Sequence, residues 1–489
     1  MLEIPLADVL EKLRTENPWW SPPHEIPEVR QSAPRRPYLK LLMNLVRAKR
    51  PHRAVVLLGP RRVGKTWMLH HAVVELIRDK VDPRSIAYVS TDHPTYHDQS
   101  LEKLIDLLSQ AAKPTSGDAP ALEYVIFDEI QYLRDWEVHL KRLVDDRPDL
   151  KLIASGSAAA ALSRKSVESG AGRFTDFRLP PLTFDEFLEL KGQRSDAFPE
   201  LAEQQQRGVF YQAADVDDLN RHFIDYLNYG GYPEVVTTPE VRANLSRFVG
   251  ADIIDKVLLR DLPSVYGISD IQELNQLFSM LAFNTAQEVA PADIARRSGV
   301  VRETIKRYIE YLEAAFLIRS VHRIDFDATR FKRVHQHKVY LTNPSLRAAL
   351  FKPVDETDPT TLGALTETAI FSQWFHQPEP LYYARFKEGE IDLVSKDARK
   401  VNWATEVKWS DHAAKNPKAE LSQLLRFAEK HWLKEVTCTT RTIRGREKIG
   451  NVEVEFVPSS EYCFTIGYNL VAGKPHPAPS APLFDRLDS

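Results

Sequence analysis

Between residues 50 and 180, short apolar runs alternate with stretches of helical periodicity. The runs at 54–58, 86–89, 124–127 and 150–154 carry almost no polar side chain. Runs this short and this uniformly apolar read as strands buried on both faces, and their alternation with helices predicts a helix-covered parallel sheet. Upstream, residues 1–20 read as a short amphipathic helix ending at Asn17-Pro18-Trp19-Trp20, and a Pro-rich basic connector follows to Pro37. Residues 38–48 place Leu39, Leu42, Leu45 and Val46 on one stripe, the signature of a helix. Residues 180–290 read as mostly helical, with a break at Gly230-Gly231-Tyr232-Pro233. Residues 360–470 alternate again, as a second, smaller α/β unit, and the tail from Ala472 is rich in Pro, Ala and Ser and is expected to be disordered.

Composition narrows the class. A chain of 489 residues exceeds what one compact core usually holds, so two or three domains are expected. The formal net charge of −3 means that any nucleic-acid surface must be local. Cys438 and Cys463 have no metal-ligand spacing and cannot make a disulfide framework, which favours a reducing, cytoplasmic setting. No basic leader with an apolar core opens the sequence, and no apolar run reaches the ~20 residues of a membrane helix, so no membrane partner is expected.

The first chemistry lies in Gly59-Pro60-Arg61-Arg62-Val63-Gly64-Lys65-Thr66, which fits G-x-x-x-x-G-K-[ST] without deviation between a strand-like run and a helical stretch. Glycines let the backbone wrap closely, so that its N–H groups and a helix N-terminus face phosphates. Lys65 is expected to reach the β- and γ-phosphates of a nucleotide, and Thr66 to offer its hydroxyl to Mg²⁺. The run 124–127 ends in Asp128-Glu129. Asp128 is expected to hold magnesium and Glu129 to orient and deprotonate the attacking water. The following strand ends at Ser155-Gly156-Ser157, where either serine is a candidate γ-phosphate sensor; Arg173 and Arg178 are candidate arginine fingers.

These segments, continued by Leu179-Pro180-Pro181-Leu182-Thr183-Phe184 and Tyr229-Gly230-Gly231-Tyr232-Pro233, resemble a large group of bacterial and archaeal AAA-type ATPases whose C-terminal domain has long been of unknown function. The resemblance implies adenine rather than guanine nucleotide, an AAA-type sheet, a helical lid, a winged helix and a nuclease-like end. The expected division is an N-terminal segment (1–35), an ATPase core (36–190), a lid region (191–288), a winged helix-turn-helix (289–345), a nuclease-like domain (346–470) and a tail (471–489).

Residues 292–300 read as a short helix and glycine turn, and 302–316 as a second helix with Ile305, Tyr308, Ile309 and Leu312 on its inner face. Ala295 and Gly299 have the spacing of a tight helix–turn–helix corner. Residues 289–340 hold eleven Lys or Arg against six Asp or Glu. Arg296, Arg297, Arg302, Lys306 and Arg307 are candidate DNA contacts, and Arg330, Lys332, Arg333 and Lys338 candidate contacts on a wing. Further on, Asp392 lies in one strand-like run and Glu406-Val407-Lys408 in the next, so that Glu406 and Lys408 share a face. Glu367 lies in a helical run, and Gln423 in a later helix. Carboxylates around Mg²⁺ with a lysine beside the attacking water make a phosphodiester-cleaving centre. The order resembles the restriction-endonuclease-like fold, which implies Glu367, Asp392 and Glu406 as metal ligands and Lys408 as the catalytic lysine.

The leading expectation joins these parts: an ATPase using ATP and Mg²⁺ that couples nucleotide state to DNA binding and metal-dependent DNA cleavage. The alternatives are a nucleotide-controlled signalling switch, or a DNA motor acting as a homo-oligomer, whose C-terminal domain binds partners without cutting.

Overall fold

The computed structural model describes residues 5–114, 121–157, 172–204, 210–268, 270–329, 336–376, 380–387, 389–398 and 400–474. The chain forms two compact units: one comprises residues up to Leu179 together with Leu259–Ile268, the other Pro180–Leu258 and the residues from Ser269 onward.

The first unit is built on five strands: β1 (Ala54–Leu58), β2 (Ile86–Ser90), β3 (Tyr124–Asp128), β4 (Lys151–Gly156) and β5 (Phe174–Arg178). They lie in the order β2-β3-β4-β1-β5, and every pair is parallel. All of β1, β3 and β4 is buried, as their apolar runs require. Because β4 separates β1 from β3, the phosphate loop after β1 and the acids after β3 stand on either side of the end of β4.

β2 is the open edge of this sheet, and the N-terminal segment closes it. The helix Leu6–Glu16 is followed by a turn at Pro18–Trp20 whose two indoles are buried. Trp19 and Trp20 each donate through Nε1 to the Ile86 carbonyl, both at 2.9 Å. Asn17 both donates to the Tyr88 carbonyl and accepts from its N–H, at 2.7 Å each. Glu16 accepts from the Ser90 N–H at 3.3 Å. Four side chains thus do for residues 86, 88 and 90 what a neighbouring strand would.

The second unit contains a nine-stranded sheet made of β6 (Gln287–Val289), β7 (Ile318–Ile324), β8 (His337–Leu341), β9 (Leu381–Phe386), β10 (Gly389–Asp397), β11 (Lys400–Glu406), β12 (Glu435–Thr440), β13 (Gly445–Ile449) and β14 (Val452–Pro458). The order is β13-β14-β12-β11-β10-β9-β7-β8-β6. The expected boundary at 345/346 therefore falls inside one continuous sheet: β7 pairs in parallel with β9, joining His322, Arg323 and Ile324 to Tyr382, Tyr383 and Ala384. The expected tail begins later than Ala472, where the last helix ends; residues 475–489 lie outside the described residues.

The segments 179–187 and 229–233, prominent in the sequence, are joints of the fold. Thr183 and Glu186 form a reciprocal cap at the start of the helix Phe184–Leu190. The Leu182 N–H donates to the Gly231 carbonyl at 3.0 Å, and the Tyr226 hydroxyl donates to the Leu182 carbonyl at 2.9 Å. Gln373 donates to that hydroxyl at 3.0 Å and accepts from the Phe184 N–H at 3.1 Å. A side chain at Gly231 would collide with Asn343 and Ser345, which explains the glycine.

Removing the Asn17 amide would leave two buried backbone groups of Tyr88 without partners, at about 1–3 kcal/mol each. Asn17→Ala is expected to lower the stability of the first unit by about 2–4 kcal/mol and to expose the Tyr88 amide to hydrogen exchange; unchanged protection there would contradict the edge-closing role. Burial pushes Glu16 up to about 7. Its folded state therefore favours the protonated form, so stability is expected to fall as pH rises from about 4.5 to 7, and urea titrations of Glu16→Gln should show a shallower fall.

Candidate functional site

The phosphate loop leaves β1 at Leu58, and Gly64 and Lys65 open the helix Lys65–Arg78. Gly64 has φ +95°, the left-handed region that favours glycine, and a side chain at Gly59 would collide with the Leu179 carbonyl. Arg62 also takes a positive φ, of 63°. The Lys65 ammonium is buried and donates to the carbonyls of Gly59 (3.1 Å) and Pro60 (2.9 Å). Burial lowers its pKa, against the pull of Glu129 and Asp128.

Asp128 is the centre of the site. It is 1 % exposed and takes hydrogen bonds from Thr66 Oγ1 at 2.7 Å, Tyr88 Oη at 2.8 Å, and Ser155 Oγ. Burial raises its pKa, and neighbouring Glu129 adds to the rise. Glu129 has φ 57°, which turns its side chain off the strand line, and Gln131 Nε2 donates to its carboxylate. Thr66 and Asp128, in direct contact at the mouth of the loop, fit a hydrated Mg²⁺: a hydroxyl and a carboxylate are the hard oxygen donors it uses.

The two serines separate by role. Ser155 is engaged, donating to Asp128 and accepting from the Glu129 N–H at 3.1 Å. Ser157, whose N–H donates to Gln131 at 3.3 Å, is fully buried, and its hydroxyl has no partner among the described residues. The two arginines separate by position. In the β1–β5 register, Ala54 faces Phe174 and Leu58 faces Arg178. Arg178 therefore lies at the phosphate end of the sheet, whereas Arg173 precedes the other end and pairs with Asp145 at 2.9 Å.

Sequence reasoning missed Tyr88 and Gln131, which hold Asp128 and Glu129, and a clamp on Arg61. Arg61 donates through Nε and Nη2 to the two oxygens of the Asp261 carboxylate, both at 2.8 Å. Burial opposes the charge on Arg61, but Asp261 outweighs it and the pKa rises. Asp261 lies in Leu259–Ile268, the segment that returns the chain to the first unit.

In the second unit, the helix Pro291–Ser298 ends at Gly299, with φ +76°, before the helix Arg302–Ala314. Nothing lies within 4 Å of a side chain placed at Gly299, so the turn needs glycine for its backbone conformation and not for close packing. Arg296, Arg297 and Arg307 are exposed, while Arg302 and Lys306 are half-buried. Arg296 pairs with Asp293, and Lys306 with Glu303 at 2.8 Å. Arg330, Lys332 and Arg333 lie outside the described residues.

The structure brings Glu367, Asp392, Glu406 and Lys408 together, with one addition. Lys338, expected on a DNA-facing wing, points inward, its side chain 5 % exposed; its ammonium meets Glu367 at 2.8 Å, Asp392 at 3.2 Å, and Glu390. This corrects the expectation that it faces DNA: the fusion of β7 to β9 turns the strand pair into a core element. Tyr340 donates to Glu367 at 2.6 Å, the Val407 N–H to Asp392 at 2.9 Å, and Lys408 pairs with Glu406 at 2.8 Å. Burial pushes Glu367 up to about 7, opposed by Lys338, and pushes Glu406 up to about 8, reinforced by Asp392. Gln423 packs on Gly389, and its Oε1 is buried without a partner among the described residues. Among the described residues no group of three or more His, Cys, Asp or Glu is arranged to hold a metal ion. With the Lys338 ammonium already standing between Glu367 and Asp392, the Glu367, Asp392 and Glu406 set does not fit the Mg²⁺ site that the sequence led us to expect.

Among the described residues no helix is long and apolar enough to cross a membrane. An uncharacterized protein of Methanocaldococcus jannaschii is 23% identical over 353 residues, covering 70% of this chain and 72% of that protein. An uncharacterized protein of Haemophilus influenzae is 24% identical over 366 residues, covering 74% of this chain and 84% of that protein. The solved structure of C. elegans PCH-2 aligns at 14% identity and a TM-score of 0.25 over 41% of this chain and 59% of that chain, a likeness that carries no argument. Residues 220–357 match a domain of unknown function. Residues 51–188 match the AAA domain family.

Proposed function

We propose that the protein binds and hydrolyses ATP at Lys65, Thr66, Asp128 and Glu129, and couples nucleotide state to DNA binding by residues 289–340. The observation that carries the first half is the 2.7 Å contact of Thr66 with Asp128 beside a buried Lys65. Thr66 and Asp128 would hold magnesium, which neutralises phosphate charge when bound. The Lys65 ammonium leaves the Gly59 and Pro60 carbonyls for β- and γ-phosphate oxygens. Glu129, steadied by Gln131, takes the proton of the attacking water, and the unpartnered Ser157 hydroxyl reads the γ-phosphate. Arg178, whose strand end stands beside Leu58, is the favoured arginine for contact with the phosphates of its own site.

Coupling is supported by the Arg61–Asp261 clamp, because phosphate and Asp261 compete for the same guanidinium. For DNA, support comes from the order of elements: a helix Ile271–Phe283, β6, the helix–glycine–helix pair, then β7 and β8, with β6 pairing β8. That is the order of a winged helix, and its second helix presents Arg307 to solvent. Metal-dependent cleavage is not part of this reading, because a lysine ammonium already stands among the carboxylates that would serve it; the favoured role of the C-terminal sheet is binding without cutting.

Lys65→Ala is expected to cut ATP turnover by about a hundredfold or more, and Arg178→Ala by about tenfold or more, with Arg173→Ala near wild type. A steady-state phosphate-release assay on the three variants checks this; full turnover by Lys65→Ala would contradict the site. In fluorescence anisotropy, duplex DNA affinity is expected to fall steeply from 50 to 200 mM salt, with the slope of log K against log salt reduced by about 2 in the Arg297→Ala/Arg307→Ala protein. Salt-independent binding, or none, would favour a switch acting on protein partners.

A further inference from the structure

We propose that Lys338 is the resident cation of the C-terminal acid pocket, and that its ammonium bars a divalent metal ion from Glu367, Asp392 and Glu406. The inference rests on the pocket's geometry and is independent of ATP hydrolysis at the other unit.

The oxygens can be followed individually. Glu367 Oε1 accepts from both Lys338 and Tyr340. Asp392 Oδ1 accepts from Lys338, and Oδ2 from the Val407 N–H. Glu406 Oε1 pairs with Lys408. A divalent ion needs carboxylate oxygens at about 2.0–2.6 Å. The Lys338 nitrogen lies 2.8 and 3.2 Å from oxygens of Glu367 and Asp392, so it takes the space between them that an ion held by both would need.

Strand register keeps the ammonium there. β8 lies between β6 and β7, with Lys338 opposite Glu288 on one side and Val321 on the other. Its backbone is therefore fixed, and its stem is buried, so the ammonium is delivered among the acids rather than to solvent. Tyr340, two residues on and on the same face, braces Glu367 toward it. Glu390 also contacts Lys338 and is shared with Arg385 at 3.0 Å. One atom shows what removal of the lysine would open: Glu406 Oε2 is buried and has no partner among the described residues. Without Lys338, this oxygen and those of Glu367 and Asp392 would face a pocket short of one positive charge, the condition in which a hard divalent cation binds.

The test is a Mn²⁺ titration of the full chain without nucleotide, following free Mn²⁺ by electron paramagnetic resonance. Wild type and Asp392→Asn are expected to bind alike. Lys338→Met is expected to gain one site at least tenfold tighter than any in wild type, lost again in Lys338→Met/Asp392→Asn. Circular dichroism checks that each variant folds, and Lys338→Gln, which keeps a donor for Glu367, replaces the methionine variant if that one does not. Mn²⁺ uptake by wild type that disappears in Asp392→Asn would overturn the proposal, because the metal would then coexist with Lys338. No new site in a folded Lys338 variant would overturn it as well, because the exclusion would lie in the ligands themselves.

Discussion

The Asp128 carboxylate, withdrawn from water at the C-terminal edge of a parallel sheet, is the constraint on which the proposed nucleotide site depends. A buried charge is tolerated only if it is fully hydrogen-bonded. Here the donors come from three separate elements: Thr66 from the helix that follows the phosphate loop, Tyr88 from β2 and Ser155 from β4. Each hydroxyl fixes its element relative to the acid. The strand order makes this possible, since β3 is flanked by β2 and β4, and β4 by β1. The same order makes β2 an edge, which Asn17, Trp19 and Trp20 close.

The acid pocket of the second unit solves the same problem in another way. It gathers Glu367, Glu390, Asp392 and Glu406, and meets their charge with lysines supplied by the chain, Lys338 and Lys408. Burial opposes the positive charge on Lys338, yet Glu367, Tyr340, Asp392 and Glu390 together push its pKa up. At Asp128 hydroxyl donors surround the acid, an arrangement open to a metal ion; at Asp392 an ammonium already stands.

What was legible in the sequence was what is contiguous. The loop 59–66, the acids at 128 and 129 and the strand runs can be read because their meaning depends on neighbours a few residues away. β1 agrees with its apolar run, and the helices Tyr38–Arg47 and Arg302–Ala314 begin where their periodicity begins. What was not legible joins distant positions. Asn17 meets Tyr88 across 71 residues, and Lys338 meets Asp392 across 54. In the sequence, Lys338 is one basic residue in a basic stretch, and its count there pointed toward nucleic acid. Only the pairing of β7 with β9 turns it inward. The choice between Ser155 and Ser157 was likewise closed to sequence, because both are small polar residues at a strand end and only the β3–β4 register gives Asp128 to Ser155.

The most direct measurement of the central claim is ATP binding and single-turnover hydrolysis by Glu129→Gln with Mg²⁺. The account requires binding close to that of wild type, because Lys65, Thr66 and Asp128 are untouched, with hydrolysis slowed by about a hundredfold or more. Hydrolysis at the wild-type rate would contradict the assignment of Glu129 as the group that accepts the water's proton.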